Sequence, residues 1–299
     1  MREATKGVWA IVIACAVWGA APLYYHHLRE VPAAEMMGHR TIWTALLFGL
    51  YVAFSGRWSQ ARDLVTGADR LRIVAAAVLI GFNWYLFIWA VAAGHAVEAS
   101  LGYYIFPLVS ALLGWVMFRE ALRGVQAFAI GLAAVAVLVL TFGLGVAPVV
   151  ALALAVSFAL YAAAKKKIRA PAVISVLVEV LIIAPPMVAL LVWLAATGQG
   201  WFGRDLYHTA LLPLAGPLSG GPLILFSYGT QRVRLATSGL VQYLNPSLQF
   251  LSAWLIMGEG VTPWHGVALA LIWVAIALYT LGRGRMSAPE KASTPSSTR

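Results

Sequence analysis

Glu98-Ala-Ser-Leu-Gly-Tyr-Tyr-Ile-Phe-Pro107, running on through apolar residues to Arg119-Glu120, is written twice in this chain. The second copy lies 139 positions later, as Thr237-Ser-Gly-Leu-Val-Gln-Tyr-Leu-Asn-Pro246 running on to Gly258-Glu259. In this register Tyr104 falls on Tyr243, Pro107 on Pro246, Trp115 on Trp254 and Glu120 on Glu259 without a gap, and Leu86-Phe87 falls on Leu225-Phe226. Coincidences among Leu, Val and Ala are common in apolar sequence. Coincidences of Tyr, Trp, Pro and Glu in one register are rare, so the stretch is read as an internal repeat.

Composition sets the solvent. Of 299 residues, 62% are hydrophobic and 11% charged, and the mean hydropathy is +0.84. A soluble domain carries roughly 25% charged residues, so this chain cannot cover a water-facing surface and is read as an integral membrane protein. The net charge of +10 does not point to nucleic acid, because the basic residues sit in short clusters between apolar runs. Cys15, the single cysteine, lies inside such a run and supports neither a disulfide nor a metal site. The first apolar run, from Gly7 to about Tyr25, has the length of a span rather than of a signal core.

Apolar runs bounded by charge, Gly or Pro give ten expected spans, at about 7–28, 33–55, 71–93, 97–118, 125–144, 146–164, 172–197, 209–231, 235–257 and 263–281. The division at Gly143-Leu-Gly145 carries no charge, yet without it one run would be far too long for a ~30 Å core. With the N-terminus inside, eighteen of the 21 Lys and Arg fall in cytoplasmic segments, in clusters such as Arg57–Arg72, Arg119–Arg123, Lys165–Arg169 and Arg232–Arg234. Arg29 and Arg204 fall outside and Arg40 lies within a span. The asymmetry places both termini in the cytoplasm. Each repeat then holds five helices, and because five is odd the second copy enters from the opposite side. The expected architecture is an all-α membrane protein of ten helices in two inverted halves, residues 1–144 and 145–285, with a disordered tail at 286–299.

The chain resembles the RarD branch of the EamA, or drug/metabolite transporter, superfamily. The stretches that carry the resemblance are Trp18-Gly19 with Pro22-Leu23-Tyr24, Gly38-His39-Arg40-Thr41-Ile42-Trp43, Asn83-Trp84 with Trp89-Ala90-Val91, Ala99 to Tyr103, Ser157 to Tyr161, and Gly239 to Pro246. The resemblance implies ten helices around a central cavity and a permease, an exporter of small metabolites, in the inner (plasma) membrane. One departure is Phe106, where the family places Asn before the proline; Asn245 keeps the amide in the second copy.

Individual residues carry the functional expectations. A charge in a span costs about 2.5–3.5 kcal/mol and needs a partner. Arg40 and its repeat equivalent Glu179 lie seven residues into their helices from opposite sides, about 10 Å deep. They are expected to pair and link the halves, or to divide the work, Arg40 binding a substrate carboxylate and Glu179 carrying a proton. His39 is a second proton candidate, with a structural hydrogen bond as its plainer reading. Asn83, Trp84, Tyr103, Tyr104, Gln242, Tyr243 and Asn245 are expected mid-span, either as a mostly aromatic lining for small amphipathic solutes or as bonds between helices. Pro107 and Pro246 mark kinks beside the cavity, and Glu120 and Glu259 are candidate gating acids at helix ends. No phosphate-binding loop and no H-E-x-x-H occurs, so neither ATP hydrolysis nor metalloenzyme chemistry is expected. No cofactor is expected; protons are the candidate coupling ion, and the fifth and tenth helices are the expected lipid-facing or homodimer-forming pair. The alternatives are a passive channel or facilitator, and an intramembrane enzyme or sensor.

Overall fold

The computed structural model describes residues 3–119, 124–145, 147–165, 168–230, 232–233 and 241–284. Every regular element among them is helical: α1 (Glu3–His27), α2 (Ala33–Phe54), α3 (Trp58–Thr66), α4 (Arg70–Ala92), α5 (Ala96–Phe118), α6 (Gly124–Leu144), α7 (Val149–Lys165), α8 (Ala172–Thr197), α9 (Leu206–Leu211), α10 (Ala215–Thr230), α11 (Leu244–Leu251) and α12 (Pro263–Gly284). A 3₁₀ turn joins α9 to α10, and one π turn, Ser252–Ile256, extends α11. Glu120 and the 286–299 tail lie outside the described residues.

Among the described residues, six helical stretches are long and apolar enough to cross a membrane: Glu3–His27, Arg70–Ala92, Ala96–Met117, Gly124–Leu144, Ala172–Thr197 and Leu206–Thr230. Val149–Lys165 and Pro263–Tyr279 are shorter apolar helices. The second expected span exists as α2 but is diluted by Glu35, His39 and Arg40, and the ninth lies partly outside the described residues. The doubtful division is present: α6 ends at Leu144 and Gly145 turns the chain with φ of +70°, a conformation that suits a residue without Cβ. The short helix α3 was not expected. It buries Ala61 and Leu64 and leaves its polar residues exposed, a face too short to stand out against the Arg-rich segment around it.

The core lies along the bundle axis. α2 packs on α8 and α10, α5 on α7, α1 on α10 and α11, and α6 on α12. Large apolar side chains also face outward, Phe54, Phe142 and Leu71 among them, as lipid rather than water requires. Trp115 and Trp254, equivalent in the repeat, are both exposed. α6 has the smallest buried share of the six spans, 22%.

The 139-residue offset has counterparts in space. Pro32 and Pro171 precede α2 and α8 with nearly the same backbone angles, φ −54°, ψ 136° and φ −56°, ψ 141°. Tyr104 and Tyr243 stack on each other with ring centroids 6.5 Å apart and planes 12° apart. Contacts equivalent under the offset are filled differently. Phe106 meets Phe158 at 4.6 Å between centroids. Their counterparts Asn245 and Gly19 meet backbone to backbone: a Cβ on Gly19 would lie 3.2 Å from the Asn245 carbonyl oxygen and 2.5 Å from Leu248 Cβ.

Candidate functional site

α2 presents two charged faces. Residues four apart share a helix face, while neighbours point about 100° apart. Arg40 therefore looks toward α1 and α4, and Glu35 with His39 looks toward α8. The Arg40 guanidinium lies over the Trp84 ring, 4.1 Å from its centroid, and donates from Nη1 to the Tyr25 hydroxyl at 2.9 Å. Its Nε is buried without a partner, and among the described residues no carboxylate lies within 4 Å of it. A buried cation is thus held by a ring face and one hydroxyl, with a donor to spare.

The expected Arg40–Glu179 pair does not form. Glu179 is fully buried and already occupied: Lys165 Nζ reaches Oε1 at 2.5 Å, Tyr161 donates to Oε2 at 3.0 Å and Ser175 donates to Oε1 at 3.1 Å. Lys165 also bonds Ser175. The reason is depth. Arg40 and Glu179 enter from opposite ends of the bundle, and each finds a partner on its own side before the other comes into reach.

A row of rings joins the two charged centres. Tyr25 meets Phe87 at 6.0 Å, Phe87 meets Tyr103 at 5.6 Å, Tyr103 meets Phe158 at 5.9 Å and Phe158 stacks on Tyr161 at 5.7 Å between centroids. The row therefore runs from the hydroxyl partner of Arg40 to the hydroxyl partner of Glu179. Trp84, Tyr103, Phe158 and Tyr161 are only partly buried. Asn83 backs the row from a fully buried position. Its amide donates to Leu154 O at 3.0 Å and Ser157 Oγ at 2.9 Å and accepts from Tyr103 at 3.2 Å. It acts as a bond between helices, with its hydrogen-bonding capacity taken up.

The second-copy residues are placed less uniformly. Gln242 is exposed rather than facing the interior. Tyr243 packs on Tyr104 and Trp273. Asn245 accepts from Gln249 on its own helix at 2.9 Å. Tyr104 is buried and shares a 2.6 Å hydrogen bond with Ser247. Helix α5 runs through Pro107 without a break, whereas Pro246 is the third residue of α11, where the missing N–H is one the helix would not use.

The short connections gather at one end of the bundle, and carboxylates fasten them there. Glu259 accepts from the backbone N–H of Ala96 at 2.8 Å and Val97 at 2.7 Å, covering the start of α5. Glu98 accepts from Val150 at 2.9 Å and Ala151 at 3.3 Å, covering the start of α7. Glu35 accepts from Trp201 at 2.7 Å and Phe202 at 3.3 Å. His208 bridges Asp205 at 2.7 Å and Glu30 at 3.1 Å. Asp205, outside the helices, is held below the usual carboxylate range by bonds from the His208 backbone and ring. Glu259 is therefore a helix cap, not a solvated helix end. Trp201 is half-buried at the same end, with His208 at 4.6 Å and the Arg204 guanidinium over its ring at 4.5 Å.

Sequence reasoning passed over Glu35, Lys165, Tyr25 and Tyr161. The i, i+4 spacing of Glu35 and His39 was a usable signal. The contacts of Lys165, Tyr25 and Tyr161 join consecutive helices across 14, 15 and 18 residues, a spacing set by how those helices pack rather than by any helical period.

An all-helical bundle with six membrane-length apolar stretches, buried charges and an aromatic interior is a multi-pass membrane protein of transporter type. Residues 5–142 match the model of the EamA-like transporter family. The chain is 36% identical over 282 residues to an uncharacterized transporter of Vibrio cholerae serotype O1, covering 94% of this chain and 93% of that one. It is 38% identical over 282 residues to protein RarD of Salmonella typhi, covering 94% and 96%. One solved crystal structure shares the fold, with a TM-score of 0.60 at 16% identity over 96% of this chain and all of the other. The chain belongs to the EamA-like transporter family, as a RarD-type member.

Proposed function

We propose that this protein is a secondary transporter that moves small amphipathic solutes across the inner membrane by alternating access, and that Arg40 receives the solute's anionic group. The observation that carries the reading is the Arg40 guanidinium, buried on Trp84 with Nε unpaired. A cation kept in a span at a cost of about 2.5–3.5 kcal/mol needs a role, and a planar fork with a free donor fits a carboxylate. The ring row from Tyr25 to Tyr161 supplies a surface for the solute's apolar body.

In this reading the chain makes ten crossings as two inverted halves, 1–144 and 145–285, with both termini cytoplasmic. The end carrying the Glu35, Glu98 and Glu259 contacts then faces outward, and the basic end faces the cytoplasm. The matching Pro32 and Pro171 caps and the Tyr104–Tyr243 stack support that arrangement. Transport is outward and coupled to protons, and α6 with α12 forms the lipid-facing or dimer-forming side.

The test is solute flux in liposomes that contain only this protein, with solutes chosen by thermal-shift screening of aromatic carboxylates against their uncharged amides. Losing a charge-assisted hydrogen bond of about 1.5–3 kcal/mol should weaken apparent affinity by roughly 10- to 150-fold in Arg40→Met. Arg40→Lys should fall between, since it keeps the charge and loses the stacked plane. Equal flux by Arg40→Met and wild type would refute the assignment. Flux that ignores a protonophore would make the protein a facilitator.

A further inference from the structure

Glu35 and His39 lie on the face of α2 turned away from Arg40, and they line a cavity of about 180 Å³ together with Ile42, Trp43, Leu191 and Phe202. Glu35 is 1% exposed and His39 5%. Glu35 Oε1 accepts from the Trp201 and Phe202 amides, and such bonds favour the charged form of an acid. Its second oxygen, Oε2, is buried with no partner. His39 Nε2 lies 3.9 Å from Oε1 and has no hydrogen-bond partner either, and Trp43 Nε1 is a third such atom. Buried polar atoms are ordinarily paired. Three unpaired ones beside one cavity give it a binding capacity that the protein itself does not use.

That capacity is for an organic cation. Glu35 supplies the one carboxylate of the lining, and no lysine or arginine belongs to it. Neighbouring cations are committed elsewhere, Arg40 to Tyr25 and Trp84 and Arg204 to the ring of Trp201. A metal ion does not fit, because no group of three or more His, Cys, Asp or Glu side chains able to hold one occurs among the described residues. The wall supplied by α8 is apolar, formed by Leu191, Leu194 and Ala195, and suits a hydrocarbon body. A volume of about 180 Å³ lies below the ~300–1,000 Å³ of drug-sized sites, so the occupant is a head group with a few carbons.

We propose that this cavity is a second ligand site, separate from the Arg40 site, and that it binds a primary ammonium group carried on an apolar body. It does not depend on the transport reading above. An ammonium has three donors and no acceptor. One donates to Glu35 Oε2 in a charge-assisted hydrogen bond and a second to the His39 ring nitrogen in its acceptor form, while the body lies on Leu191, Leu194 and Phe202. Two sources carry this chemistry, the ethanolamine head of a phospholipid and a soluble alkylamine. The cavity sits where α2 starts and α8 ends, the level at which lipid head groups lie. There the Trp43 N–H would meet an oxygen that a phospholipid has and an alkylamine lacks. Because Glu35 also holds the Trp201 and Phe202 amides, the occupant fastens the 198–205 connection to α2.

Calorimetric titration of the whole protein in phosphatidylcholine nanodiscs at neutral pH, with empty nanodiscs as the blank, tests this. The probes are isoamylamine and isoamyl alcohol, which differ in charge and hardly in shape. The amine should bind at least about tenfold more tightly than the alcohol, the weight of one charge-assisted hydrogen bond. Glu35→Gln keeps an acceptor for the two amides and turns an NH2 toward the ligand, so it should bring the amine to the level of the alcohol. Should that variant not fold, Leu191→Phe, which narrows the cavity without touching a charge, takes its place and should weaken the amine likewise. Equal binding of the two probes by the wild type overturns the proposal, as does an amine preference that survives in the variant. Repeating the titration with phosphatidylethanolamine in the bilayer separates the sources. Amine affinity lowered by competition assigns the site to the lipid head, and unchanged affinity assigns it to a soluble amine.

Discussion

Replacing Lys165 by Met should damage the protein more than neutralising its partner. Lys165 is 22% exposed, whereas Glu179 is fully buried, and the two lie 2.5 Å apart. Lys165→Met leaves a buried carboxylate with only the Tyr161 and Ser175 hydroxyls. Stranding one member of a buried pair costs about 3–5 kcal/mol. Glu179→Gln keeps one acceptor oxygen and puts an NH2 that can donate to a hydroxyl in place of the other, and the freed lysine can extend toward the interface, so about 1–2 kcal/mol is expected. The double variant should be milder than the sum by at least about 1 kcal/mol, because each change removes the reason for the other's penalty. At about 2–3 °C per kcal/mol for a chain of this size, Lys165→Met should lower the apparent Tm by roughly 6–15 °C. Melting of the purified variants in detergent, followed by size-exclusion fluorescence, measures all three. If Lys165→Met proves no worse than Glu179→Gln, or if the losses are additive, the pair does not hold α7 to α8 as described.

Asn83→Leu removes three interhelical hydrogen bonds, to Leu154, Ser157 and Tyr103, and at about 0.6 kcal/mol each should cost roughly 2 kcal/mol in the same melting assay. Gly19→Ala would place a Cβ 2.5 Å from Leu248 Cβ, whereas a Cβ on Gly49 meets nothing within 4 Å. The first should therefore destabilise by about 1–3 kcal/mol, and Gly49→Ala should be neutral or gain up to about 1 kcal/mol. Equal melting temperatures for these two variants would remove the close α1–α11 approach from the account.

Hydrophobic runs and their breaks were legible because a membrane enforces them residue by residue. The Leu144/Val149 division and the six membrane-length stretches follow from that rule alone. The buried positions of Arg40, Asn83, Tyr104 and Glu179 were legible for the same reason: a polar group in a span must turn inward. Their partners were not. The spacing of Arg40 and Glu179 invites a pair, but the height difference between them lets Tyr25 and Lys165 arrive first. The caps made by Glu98 and Glu259 were not legible, because the helix starts they cover lie 52 and 163 residues away in sequence. Phe106 looked like a lost polar contact, whereas it fills space against Phe158.

That last exchange has a mechanical consequence. Two bulky rings keep one seam of the bundle apart, at Phe106 and Phe158, while its counterpart at Asn245 and Gly19 is backbone against backbone. A machine that rocks between mirror poses over two identical hinges would have no preferred rest position. In the alternating-access reading proposed above, one seam would be padded and the other bare, which would give the two poses different energies before any solute binds. On that reading the empty protein would rest with one side open, and the two phenyl rings at Phe106 and Phe158 would set which side.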